Sequence, residues 1–171
     1  HKRNIHFMKE QSMLEQIVVN TKNEWIDTAR IIWSQLVNGV AWIHSKGYCH
    51  LDLSLENTLL IKKDDGSYQA KIIDFGICKR FNSGNFRMKQ RIGKPAYMAP
   101  EVYDRKEFDA RAADIYSLGV ILFIMLVGNP PYKVPSRNNA AFKFVISGRL
   151  DEVLIHWKRL RMVNQDALEC L

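Results

Sequence analysis

The sequence predicts an α+β fold that is mostly α-helical and carries one small β-hairpin. Apolar residues recur at three- and four-residue steps over residues 23–46 and 110–127, the period of helices with one buried face. Between these segments, two short apolar-rich runs flank an Asp65-Gly66 turn signal. Residues 77–100 show no periodicity and read as a long ordered loop, a feature that usually carries function.

Taken in order, Phe7, Met8, Met13, Leu14, Ile17 and Val18 predict a short first helix. The long helix from Asn23 to Lys46 lines up Trp25, Ile26, Ala29, Ile32, Trp33, Leu36, Val37, Val40 and Ile43 on one wide face. Asn23 suits its N-cap, and Gly47 suits the left-handed residue that ends it. Strands are expected at Thr58–Ile61 and Gln69–Ile73. A single Asp-Asp-Gly without alternating ligands or a closing Glu excludes an EF-hand. The helix from Ala110 to Val127 stops ahead of Asn129-Pro130-Pro131. Further helical stretches are expected around 138–146, 151–156 and 164–171, with no linker between any of these elements.

Composition narrows the function classes. The 171 residues are 47% hydrophobic and 25% charged, which excludes disordered and fibrous architectures. Nine glycines and five prolines without a period exclude collagen and simple repeats. Cys49, Cys78 and Cys170 are an odd number with no CxxC, so neither a disulfide framework nor a zinc module is indicated, and a reducing, intracellular and cytoplasmic setting is expected. The longest apolar run, Leu118 to Val127, is a buried helix by length and too short to span a bilayer. The basic N-terminus has no hydrophobic stretch behind it, so no export signal or membrane partner is expected. A net charge of +7 suits an acidic partner, but the basic residues follow no nucleic-acid-binding motif.

The chemistry-bearing residues sit at element ends. His50-Leu51-Asp52-Leu53-Ser54-Leu55-Glu56-Asn57 follows the long helix, Asp74-Phe75-Gly76 follows the second strand, and Gly93-Lys94-Pro95-Ala96-Tyr97-Met98-Ala99-Pro100-Glu101 closes the loop. Asp114-Ile-Tyr-Ser-Leu-Gly119 follows in the next helix. In this order these motifs resemble the C-terminal, catalytic lobe of a eukaryotic protein kinase of the Ser/Thr type, over nearly the whole chain. The resemblance implies a fragment: residues 1–171 are a partial kinase domain lacking the N-terminal lobe and the final helices. No G-x-G pair is present, and Ala70-Lys71-Ile72-Ile73 abuts Asp74 and belongs to the hairpin rather than to an ATP-binding strand.

What the resemblance implies for each residue agrees with the demands of phosphoryl transfer. That reaction needs a group to take the proton of the incoming hydroxyl and cations to neutralise the moving phosphoryl group. Asp52 is the expected base. Asn57 and Asp74 are the expected oxygen ligands of Mg2+ bound with ATP. His50 and Phe75 are expected to join the catalytic loop to the Asp-Phe-Gly segment as core residues, Gly76 to serve as a structural residue of that segment, and Asp114 to tie down the loop backbone. Glu101 is expected to pair with a late Arg beyond this chain, and an unpaired buried carboxylate costs roughly 3–5 kcal/mol. Cys49 and Cys78 are expected as small buried apolar groups.

The departures are informative. Leu51 stands where the family carries an Arg that receives an activation-loop phosphate, and Ser83 is the one Ser or Thr between Ile77 and Tyr97. Activation without loop phosphorylation is therefore expected. Ser54 replaces the family Lys that touches the transferred phosphoryl group, and losing such a donor costs about 2.7–4 kcal/mol. Lys94 stands where a Thr normally meets that Lys, so the two positions look exchanged and Lys94 is the expected replacement cation. Six basic residues and no acid lie between Lys79 and Lys94, which favours protein substrates with acidic sites. Glu56 contacts a substrate Arg in basophilic members and argues the other way, although their late acidic helix residue is here Ile124. A pseudokinase lobe acting as scaffold is the alternative function.

Overall fold

The computed structural model describes residues 22–82, 84–159 and 163. The helices predicted upstream of 22 and over 164–171, together with Ser83 and Cys170, lie outside the described residues. Element order is α1 (Lys22–Ser45), β1 (Tyr48–Cys49), β2 (Thr58–Lys62), β3 (Tyr68–Ile72), β4 (Lys79–Arg80) and β5 (Arg87–Met88). Then come α2 (Pro100–Tyr103), β6 (Phe108–Asp109), α3 (Ala110–Val127), α4 (Ala140–Ile146) and α5 (Leu150–His156).

Helix α1 begins at Lys22, which puts Asn23 inside its first turn rather than at the N-cap. Its apolar stripe of Ile26, Ala29, Ile32, Leu36 and Val40 packs on Leu118, Ile121 and Met125 of α3 to form the main core. Two α1 indoles fasten the pair, Trp25 Nε1 donating to Met125 O at 2.7 Å and Trp33 Nε1 to Leu118 O at 3.3 Å. Gly47, at φ 78°, ends the helix as expected. Helix α3 is capped by Asp109, whose carboxylate accepts from Arg111 N, and stops at Gly128 with φ 86°. Among the described residues this helix is long and apolar enough to cross a membrane, but two-thirds of it is buried inside the fold.

β2 and β3 form the expected hairpin, with Thr58 opposite Ile72 and Lys62 opposite Tyr68. Gln35 fastens it to α1, accepting from Ala70 N at 2.8 Å and donating to Tyr68 O at 3.1 Å. One hairpin was expected and three antiparallel pairs are present: β1 also pairs with β4, and β5 with β6. Each extra pair has two residues per strand and joins segments far apart in sequence, so no local alternation announces it. These pairs tie both halves of the 77–97 segment to the body. A second core cluster, including Cys49, Leu51, Phe86, Met98, Val102 and Phe108, fills the space beneath it.

Candidate active site

The site is built around one buried carboxylate. Asp114, near the start of α3 and 1% exposed, accepts from His50 N at 2.9 Å, Leu51 N at 2.8 Å and His44 Nε2 at 2.8 Å. A buried charge is costly unless it is hydrogen-bonded, and these donors answer both of its oxygens. They also hold Leu51 at φ 66°, a left-handed conformation costing a non-glycine residue about 1–3 kcal/mol. The loop after β1 is thereby turned to present Asp52.

His50 is fully buried and links this loop to the end of β3. Its Nδ1 accepts from Asp52 N at 3.3 Å, so the proton sits on Nε2, which donates to Ile73 O at 3.1 Å. The ring lies edge-on to Phe75 with centroids 5.0 Å apart. Ile73 N donates to Asn57 O at 3.0 Å, so the same frame carries Asp52, Asn57 and Asp74.

Asn57 Nδ2 donates to Asp52 O at 2.7 Å and to Asp52 Oδ2 at 2.9 Å. Donation through nitrogen leaves the Asn57 carbonyl oxygen available as a ligand. Asp74 stands at φ 62°, with Oδ1 accepting from Gly76 N at 3.1 Å and the carboxylate otherwise open to solvent. These are hard oxygen donors of the kind Mg2+ takes, so the residues present fit that ion.

Lys94 comes from the other end of the 77–97 segment. Its Nζ donates to Ser54 Oγ at 2.8 Å and lies 3.4 Å from Glu56 Oε2. Burial alone would raise the Glu56 carboxyl. Bonds from its own backbone, the Ser54 hydroxyl and the Lys94 ammonium outweigh burial and hold the carboxyl below its ordinary value. Gly93, at φ 91°, makes the approach possible, since a Cβ there would stand 2.6 Å from Leu51 O. The sequence-predicted residues Asp52, Asn57, Ser54 and Lys94 thus come together.

Two expectations need correction. Phe75 was expected in the core but is half exposed, because its ring touches His50 on one side and borders an open cavity of about 490 Å³ on the other. Glu101 is half-buried rather than fully buried and has no ion-pair partner among the described residues, so the penalty is smaller than that of a fully buried unpaired charge. Sequence reasoning missed His44, whose signal was a lone histidine in the last turn of an apolar helix face. It also missed the Tyr97 hydroxyl, which accepts from Leu55 N at 3.5 Å. His44, Cys49 and Asp114 bring ligand atoms within 4.8 Å of one another. Burial first, and then the Asp114 charge, push the Cys49 thiol up to about 12, and the Asp114 oxygens are already committed to hydrogen bonds, so this cluster is a structural one.

Comparison with known proteins agrees with this geometry. The chain is 48% identical over 111 residues to "Serine/threonine-protein kinase SAPK1" of Oryza sativa subsp. japonica, covering 64% of this chain and 31% of the relative. It is 48% identical over 114 residues to "Serine/threonine-protein kinase SRK2C" of Arabidopsis thaliana, covering 64% and 31%. It is 46% identical over 111 residues to the "Abscisic acid-inducible protein kinase" of Triticum aestivum, covering 64% and 32%. The chain therefore spans about a third of the length of these curated relatives. The protein kinase domain family matches residues 2–169, nearly end to end. With that match and the Asp52, Asn57 and Asp74 frame in hand, the chain belongs to the protein kinase family.

Proposed function

We propose that the complete protein transfers the γ-phosphoryl group of ATP to Ser/Thr hydroxyls of protein substrates, and that residues 1–171 are its C-terminal lobe. The observation that carries this reading is the Asn57 side chain, which holds Asp52 through two hydrogen bonds while its own backbone carbonyl is bonded to the residue before Asp74. Asp52 takes the proton of the acceptor hydroxyl, with its carboxylate oriented by Asn57 and its backbone by His50. Asn57 and Asp74 would hold Mg2+, which neutralises phosphate charge when bound. Lys94, kept near Asp52 by Ser54 and Gly93, supplies the cation that the exchanged position lacks. Glu101, Gly76 and Phe75 are scaffold.

The fragment reading draws support from an exposed apolar face. Trp42, Tyr48 and Phe75 are 64%, 37% and 50% exposed around the open cavity, a surface suited to an N-terminal lobe in cis. The free thiols of Cys49 and Cys78 support an intracellular, cytoplasmic setting. The alternative, a pseudokinase scaffold, draws on Ser54, which stands in place of the family Lys.

The test uses the complete protein. Magnesium-dependent ATP binding and phosphate incorporation into a protein substrate are expected, and Asp52→Asn is expected to lower kcat by about 10²–10⁴-fold with nucleotide binding retained. Nucleotide binding without any phosphotransfer would favour the scaffold.

A further inference from the structure

A hydroxyl that gives its proton to Asp52 must come within about 2.6–3.2 Å of it. Successive Cα atoms are about 3.8 Å apart, so residues one or two positions from that hydroxyl lie within roughly 7 Å of it. Two charged side chains belong to the surroundings of Asp52: Lys94 lines the same small cavity, and Glu56 directly precedes Asn57, whose side chain bonds the Asp52 carboxylate. Glu56 lies four residues along the same tight loop. Lys94 follows Gly93, where an added Cβ would stand 3.7 Å from Asp52 Oδ1. They face each other at 3.4 Å with Lys94 37% and Glu56 40% exposed, so solvent and an incoming peptide reach both. Glu56, the acidic member, is thus already answered by a cation of its own chain. The rest of the 79–94 segment adds Lys79, Arg80, Arg87, Lys89 and Arg91, all exposed, and no acid.

We propose that the Glu56–Lys94 pair determines substrate specificity at the acceptor site. Lys94 cancels Glu56, so a basic residue beside the acceptor hydroxyl meets no free carboxylate, and hydroxyls flanked by acidic residues are taken in preference. This rests on the phosphotransfer reading above and deepens it: the pair removes the Glu56 carboxylate as a partner for a basic residue, and the exposed cations of the 79–94 segment supply the attraction for acidic ones. Removing either partner frees the other, and the two removals redirect specificity in opposite senses.

The experiment uses the complete protein and two peptides identical except for Asp or Arg beside the acceptor Ser. Both kcat/KM and equilibrium binding by fluorescence anisotropy are measured. Wild type is expected to favour the Asp peptide. Lys94→Thr should move the Asp/Arg ratio toward Arg and Glu56→Gln should move it toward Asp, each by about three- to fivefold, the scale of an exposed ion pair. Any general loss of rate in either variant cancels in the ratio. Ratios unchanged in both variants, or shifted in the same direction, overturn the proposal. If wild type phosphorylates neither peptide, the phosphotransfer reading fails, and the binding ratios still decide for or against the pair.

Discussion

Asp114 illustrates how much one side chain can organise. Its carboxylate is the meeting point of the His50 and Leu51 amides and the His44 ring, groups separated from it by 63 to 70 residues in sequence. Asp114→Asn removes the charge and turns an NH2 group toward a donor. The unfolding free energy should fall by about 1.5–3 kcal/mol, as for other bonds to charged groups, and an unchanged chemical-denaturation midpoint would contradict the role assigned here. Glu56 provides a pH-dependent counterpart. Its folded-state carboxyl lies below the ordinary 4.5, so its contribution to stability is present above the unfolded value and is lost as pH falls through the depressed one. A carbon-detected NMR titration of Glu56 should therefore give a midpoint below 4.5, with the Lys94 contact intact at pH 5.

At the scale of elements, the 77–97 segment is held by packing. Leu51, where the family carries Arg, lies 7% exposed in a cluster with Phe86, Met98, Val102 and Phe108. Phe86 itself contacts the Phe81 ring at 5.2 Å and lies 4.1 Å beneath the Arg111 guanidinium, and its carbonyl accepts from Ala110 N at 2.9 Å. The β5–β6 pair adds a backbone tie. Arg91 stacks on Tyr103 at 3.9 Å. Phe86→Ala removes the centre of this arrangement and should cost about 3–5 kcal/mol where the site cannot collapse. The expected signature is local: hydrogen exchange at Ala110 and Met88 accelerates while the α1–α3 core stays protected. Uniform acceleration across both would show that the segment is not a separate cooperative unit.

On the scale of the molecule, polar and apolar surfaces are unevenly shared. The α1–α3 core is closed on the hairpin side, whereas Trp42, Tyr48, Phe75, Ile73 and Ile77 remain open around the site. An apolar patch of this kind drives association unless it is covered. The 171-residue chain alone should self-associate in sedimentation velocity, and Trp42→Gln with Phe75→Ser should reduce that association without lowering the denaturation midpoint. A wild-type chain that stays monomeric over the whole concentration range would show that the patch is not sticky enough to require a cover.

The sequence by itself determined the helices at about 23–46 and 110–127, the Asp65-Gly66 hairpin, the Gly47 stop and the order of the Asp52, Asn57 and Asp74 motifs. These depend on periodicity, capping and turn chemistry among residues a few positions apart, and that information is local. Tertiary structure alone decided that His44 reaches Asp114, that Lys94, beyond the expected Ser54, also meets Glu56, and that two-residue strands pair across the long loop. It also decided that Phe75 and Glu101 are partly exposed. Such facts follow from which surfaces the chain brings together and which it leaves to water. A residue's type sets the cost of being buried, but only the packed chain sets whether it is buried and which partner it meets.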